Sequence, residues 1–273
     1  MKGRIVHEDA NTRIWLQEFS GPGEHTDFLE NLKISQEFNM RHRGLMLFYG
    51  QDFIAYKKEQ KANKKRNEFL QTLSHYMTDH LEDDCPSSWE ECPASFWEEL
   101  IFAYLPHYTK IIPEKNYTET FLLQLRTFVR WLDKRKGTSF TNLVEDYIIE
   151  GTPILKKCEA LLNHLFLKDY PRFHQSDWDY EGDQKRWEQS LEKYSNTIDG
   201  MFRVTAFADE CVILKDLHTH HTYMTKSLPV NKLSTTTIIT GILGQKPHEL
   251  VWDWLATINV FPEKGEKYIR NAK

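Results

Sequence analysis

The sequence predicts a mixed α+β fold: a mainly helical N-terminal region over residues 1–195, then a small SH3-like or OB-like β-barrel with a short terminal helix over residues 200–273. Three observations predict it. Up to Gly200 apolar residues recur every three to four positions, the period of a helix face. Beyond Gly200 they alternate every second position, the period of a strand. The alternating runs are short, and five of them fit into about seventy residues, as closure of a small sheet without exposed edges requires.

The elements follow in order. Arg4 to His7 and Thr12 to Gln17 flank Glu8-Asp9-Ala10-Asn11 and read as a hairpin. Gly21-Pro22-Gly23 breaks the chain, and Thr26 is placed to cap a helix carrying Phe28, Leu29 and Leu32. Leu45-Met46-Leu47-Phe48-Tyr49 reads as either buried strand or buried helix. Residues 51–80 are helical in pattern, with Phe53, Ile54, Phe69, Leu70, Leu73 and Tyr76 as apolar positions. Pro93 opens another helix bearing Phe96, Trp97, Leu100, Ile101 and Tyr104, and Pro106 ends it.

The clearest helix spans 117–136. Asn116 is its expected N-cap, Glu119 completes a capping box, and Gly137 stops it. A shorter helix with Leu143, Val144, Tyr147 and Ile148 is expected to end at Gly151. Thr152 and Pro153 then start another with Ile154, Leu155, Cys158, Leu161, Leu162 and Leu165 inward, closed by Pro171. The strands centre on Phe202–Ala206, Val212–Leu214, Tyr223–Thr225, Ile238–Leu243 and Trp252–Val260.

A chain of 273 residues with 27% charged and 13% aromatic residues is a folded protein of one or two domains. Its formal net charge of -5 excludes a strongly basic whole-protein field for nucleic acid and leaves a local basic face open. The N-terminus has no signal-peptide core and no apolar run approaches a membrane span, so the expectation is a cytoplasmic protein without a membrane partner. Cys85, Cys92, Cys158 and Cys211 contain no Cys-x-x-Cys pair and read as reduced, structural thiols.

Two resemblances emerge from these segments. Residues 117–165, with Thr118, Leu125, Phe128, Trp131 and Leu132 followed by two further helices, resemble the SAM-like core-binding bundle of tyrosine recombinases. The Arg, His-x-x-Arg and Tyr constellation of the recombinase catalytic domain is missing downstream, so recombination is not implied. Gly200-Met201-Phe202-Arg203-Val204, Leu214-Lys215-Asp216-Leu217, Tyr223 and Gly241-Ile242-Leu243 resemble a small C-terminal β domain of bacterial proteins of unknown function. That resemblance implies a fold and no activity.

Four site candidates follow from residue type and spacing. Asp177 to Glu188 has the register of an EF-hand loop, with Asp177, Asp179 and Glu181 at positions 1, 3 and 5, Gly182 at 6 and Glu188 at 12. Calcium needs six to eight converging oxygens, and the glycine permits the turn that gathers them. Glu181 is longer than usual, and Gln184 and Lys185 depart from the pattern. The competing reading is an acidic linker followed by a charged helix. His218-Thr219-His220-His221 with Asp216 is either a metal or pH-sensitive site or a solvated turn. Lys57, Lys61, Lys64 and Lys65 fall on one broad helix face, with Arg126, Arg130 and Lys134 forming a second stripe. These track a phosphate backbone or are solvated faces. Trp252 and Trp254, with Phe202 and Tyr223, are barrel core or an aromatic platform for a base or peptide.

No nucleophile elbow, P-loop or dinucleotide fingerprint is present. The expectation is a non-enzymatic binding or adaptor protein that needs no cofactor and associates with protein or nucleic acid. The alternative is a metal-dependent enzyme or metal-regulated protein using a divalent cation in loop 177–188.

Overall fold

The computed structural model describes residues 3–9, 12–60, 63–111 and 116–270. The chain opens with an antiparallel hairpin, β1 (Gly3–Asp9) and β2 (Thr12–Gln17). Helices α1 (Pro22–Gln36), α2 (His42–Met46), α3 (Phe48–Glu59) and α4 (Lys64–His75) follow, and α4 continues into a π-helical turn, Tyr76–His80. Next come α5 (Ala94–Glu99), a second π turn (Leu100–Tyr104), α6 (Leu105–His107), α7 (Tyr117–Lys136), α8 (Phe140–Asp169) and α9 (Tyr180–Leu191). Strands β3 (Asn196–Ala208), β4 (Cys211–Asp216), β5 (Thr222–Lys226), β6 (Thr237–Gln245) and β7 (Trp252–Pro262) lead to a short terminal helix, α10 (Glu266–Ile269). The mixed α+β reading, helices first and sheet last, is borne out. No helix among the described residues is long and apolar enough to cross a membrane.

The chain folds into two compact units. One holds residues 1–96 and 120–145, the other residues 97–119 and 146–273. The unit that contains the five-stranded sheet therefore takes in helical residues that the sequence places with the N-terminal region.

In the first unit an aromatic core packs at edge-on and tilted angles. Phe128 meets Phe53, Tyr56, Phe69 and Trp89 at ring-centroid distances of 5.8, 5.1, 5.7 and 5.9 Å. Such pairs add to burial because ring edges and faces carry opposite partial charge. Asp52 is buried beside this core. Its carboxylate accepts a bond from the Trp89 indole at 2.9 Å and pairs with Lys136 at 3.0 Å and Arg135 at 3.4 Å. A buried charge persists only when it is compensated in this way.

In the second unit the sheet order is β3-β4-β5-β7-β6, and β6 returns to β3, so every strand is paired on both sides. All pairs are antiparallel except β5 with β7, where Thr225 lies opposite Trp252. Phe202, Val204, Val212, Leu214, Ile239, Leu243, Trp254 and Val260 fill the interior, joined by Cys158, Leu161, Leu162 and Leu165 of α8. The inward face of α8 thus completes the core of the sheet.

Two expectations change. α1 starts at Pro22, and Thr26 bonds back to the Pro22 carbonyl at 3.0 Å inside the helix instead of capping it. The two helices expected around Gly151 are one, α8, with Pro153 in its interior. Gly151 is there for close packing, because a Cβ would stand 2.9 Å from Cε1 of Phe102. At the start of α7 a distant residue takes two of the first amides: Glu159 accepts from Tyr117 N at 2.8 Å and Thr118 N at 3.2 Å. Glu119 pairs with Lys156 at 3.1 Å. Gly137 does stop α7, with φ 75°, a conformation glycine adopts without steric cost.

Candidate functional site

The end of α8 and the face of α9 build a groove. Pro171 cannot continue α8, so the chain turns directly after Tyr170. Asp179 then caps α9, accepting from Gly182 N at 2.9 Å. On α9, Tyr180, Asp183, Gln184, Trp187 and Glu188 recur at helical spacing and share one face. That face, with Phe166, Tyr170 and Trp178, lines a groove of 470 Å³, within the size range of small-molecule sites.

Ring contacts organise it. Phe166 meets Tyr170 at 5.0 Å in a tilted arrangement and Phe173 edge-on at 4.9 Å. Trp178 meets Phe173 at 5.0 Å and Tyr180 at 5.5 Å, both edge-on. Tyr180 is 60% exposed and stands as a rim with an open face. No residue of α9 is fully buried, so its aromatic side chains keep access to solvent.

The polar groups are oriented from within. The Trp178 indole donates to Asp183 Oδ2 at 2.7 Å, and Arg186 bonds the other oxygen. These two bonds hold the Asp183 carboxyl below the usual carboxylate range, so it is ionised at neutral pH. Glu188 accepts from Gln184 at 3.0 Å. Burial, followed by the charges of Asp169 and Asp183, pushes the Tyr170 phenol up and keeps it protonated. The groove therefore sets aromatic side chains beside two carboxylates, Asp183 and Glu188.

The residues singled out for calcium meet a different fate. From Tyr180 onward the expected loop is helix, so Glu181 and Glu188 sit on α9 while Asp177 and Asp179 precede it. Asp177 pairs with Arg172, Asp179 caps the helix, and Glu188 bonds Gln184. The structure does not gather Asp177, Asp179, Glu181 and Glu188 around one point. Among the described residues no group of three or more His, Cys, Asp or Glu side chains is arranged to hold a metal ion. The physical reason is local: Asp179 is a strong N-cap, and a capped helix competes with a calcium loop for the same backbone.

The basic stretch is not one helix face either. α3 ends at Glu59, Gln60 is extended, and Asn63 caps α4 through a 2.9 Å bond from Lys65 N. Lys57 therefore lies on a different helix from Lys64 and Lys65, and Lys61 lies outside the described residues. Lys57 is buried, bonded to Glu37 at 2.9 Å and Asn67 at 2.7 Å. Lys64 and Lys65 are exposed. In the second stripe Arg126 pairs with Glu145 at 2.7 Å, with Arg130 at 3.8 Å from the same carboxylate.

Around the histidines, Asp216 accepts from the backbone N–H groups of His218 at 2.7 Å and Thr219 at 2.8 Å, and His220 has φ 62°. This is an Asx-type turn with all three imidazoles exposed. Trp254 is core, its indole donating to Thr257 at 2.8 Å. Trp252 is half-buried and meets Tyr223 at 5.2 Å. All four cysteines are free.

The groove was missed because the acidic residues of 177–188 drew the reading toward metal chemistry. The available signal was aromatic density: Phe166, Tyr170, Phe173, Trp178, Tyr180 and Trp187 lie within one short stretch. Fold and groove together define a mixed α+β chain with a groove lined by five aromatic side chains and two carboxylates. No family model, curated protein or solved structure matches the chain.

Proposed function

We propose that the chain is a cytoplasmic, non-enzymatic binding module whose ligand site is the groove between the end of α8 and α9. The observation that carries this reading is the lining: five aromatic side chains and two carboxylates around 470 Å³. A few placed polar groups among apolar walls are what a ligand site needs for orientation and affinity. The non-enzymatic part is supported by the state of those carboxylates. Asp183 is held ionised by Trp178 and Arg186, which makes it a poor general acid, and Glu188 is engaged by Gln184.

The sheet is of OB-like type in this reading. The order β3-β4-β5-β7-β6, with the single parallel pair β5 and β7, supports it over the SH3-like alternative. Nucleic-acid association is the second reading, favoured by that topology. Of its expected phosphate contacts, Lys64 and Lys65 remain exposed.

A thermal-shift screen of small molecules and single-stranded oligonucleotides, run on wild type and Tyr180→Ala, tests both. Ligands that stabilise wild type and not Tyr180→Ala support the groove. Stabilisation only by oligonucleotides, fading at high salt and in Lys64→Glu/Lys65→Glu, replaces the groove reading with the second one.

A further inference from the structure

We propose that the groove recognises a methylated ammonium cation, seated against the faces of Tyr170, Trp178, Tyr180 and Trp187 in the field of Asp183 and Glu188. The inference rests on the groove being the ligand site and names what it takes.

Three observations converge on this chemistry. Aromatic faces carry negative charge density and attract a cation placed over them, most strongly where water is partly excluded. Four such rings, all but Tyr180 half-buried, line a single groove. The surroundings are acidic as well. Residues 177–188 hold five acids against two bases, and none of the groove-lining side chains is cationic.

The third observation separates methylated from ordinary ammonium. A lysine ammonium or a guanidinium carries N–H donors that must find acceptors when they leave water. Here Asp183 already accepts from Trp178 and Arg186, and one oxygen of Glu188 from Gln184, which leaves few acceptors in place for several N–H donors. A quaternary ammonium has no N–H to satisfy and a weakly held hydration shell. It gains from ring faces and long-range charge, which is what this groove supplies. A free small molecule and a trimethylated lysine side chain present the same group.

The test is titration of the full chain, followed by tryptophan fluorescence and calorimetry, with four probes. They are choline, its neutral isostere 3,3-dimethylbutanol, a short uncharged peptide carrying one trimethyllysine, and the same peptide with unmodified lysine. The expected result is that choline or the trimethyllysine peptide binds at least about tenfold more tightly than its control. Tyr180→Ala weakens that binding roughly 5- to 30-fold with unchanged far-UV circular dichroism, as an exposed side chain allows. Which of the two probes binds identifies the source. Equal binding of choline and its isostere overturns the cation inference and leaves the groove reading standing. No binding of any probe, with no hit in the ligand screen, overturns both.

Discussion

Glu159 and Tyr117 are joined across 42 positions of sequence: the backbone N–H of Tyr117 donates to Glu159 Oε1 at 2.8 Å. Thr118 N donates to the second oxygen at 3.2 Å. Two of the unpaired amides at the start of α7 thus end on one buried carboxylate, which also opposes the positive end of the helix dipole. Charge-assisted bonds of this kind are worth more than neutral ones. Glu159→Ala is expected to cost about 2–3 kcal/mol and Glu159→Gln less, since the amide keeps one acceptor. Urea denaturation checks this, with the midpoint falling and the slope unchanged.

Gly151 is a packing position in the interior of α8. At an uncrowded interior position Gly→Ala would raise stability through helix propensity, by up to about 1 kcal/mol. In the structure its Cβ would lie 2.9 Å from Cε1 and 3.1 Å from Cζ of Phe102, and 3.3 Å from Cδ1 of Leu155. Phe102 is fully buried and cannot swing away. The expected outcome is a net loss of about 1 kcal/mol, the overpacking cost exceeding the propensity gain. A calorimetric melting temperature above wild type would overturn it.

Lys57 and its sequence neighbours should part company. Lys57 is 7% exposed and bonded to Glu37 and Asn67, so Lys57→Ala removes a buried side chain's packing together with both bonds and should cost about 1–3 kcal/mol. Lys64→Ala and Lys65→Ala, at exposed positions, should stay within about 0.5 kcal/mol of wild type. Equal behaviour of all three in guanidinium titrations would remove Lys57 from the interior.

An acid limb of stability is expected from Glu98. Burial pulls its carboxyl upward, but bonds from Lys267 and Tyr268, each 2.8 Å, and the charge of Lys264 outweigh it and hold it below the usual range. A carboxyl lowered in the folded state stabilises above its unfolded value, about 4.3, and that stabilisation is lost as pH falls through the folded value. Lys267 is 59% exposed, so screening limits the effect to about 1 kcal/mol or less. Glu98→Gln should flatten the loss between neutral and acid pH. Tyr268, pushed up to about 12 by burial and its bond to Glu98, should titrate at 295 nm later than a free phenol.

Legibility followed the range of the forces. The strand runs around Phe202–Ala206 and Trp252–Val260 and the limits of α7 were readable, because alternation and helical period are written in adjacent residues. The break between Glu59 and Lys64 was not, since a long run of lysines looks helical until Asn63 is seen capping a new helix. The site was half legible. Segment 177–188 was singled out as either a calcium loop or an acidic linker followed by a charged helix; the helix is what forms, with Asp179, one of the expected ligands, serving as its cap.

By itself the sequence determined the order of helices and strands, the aromatic and charged composition of each segment, and the alternation of the strands; that Trp254 is core and not platform was decided by the structure. Periodicity is a local property of the chain, and burial of one face enforces it. Tertiary structure alone decided that Glu159 caps α7, that Gly151 makes room for Phe102, and that Phe166 and Trp187 share a groove. Those relationships join residues whose spacing carries no pattern, and they exist only once packing has brought the side chains within reach of one another.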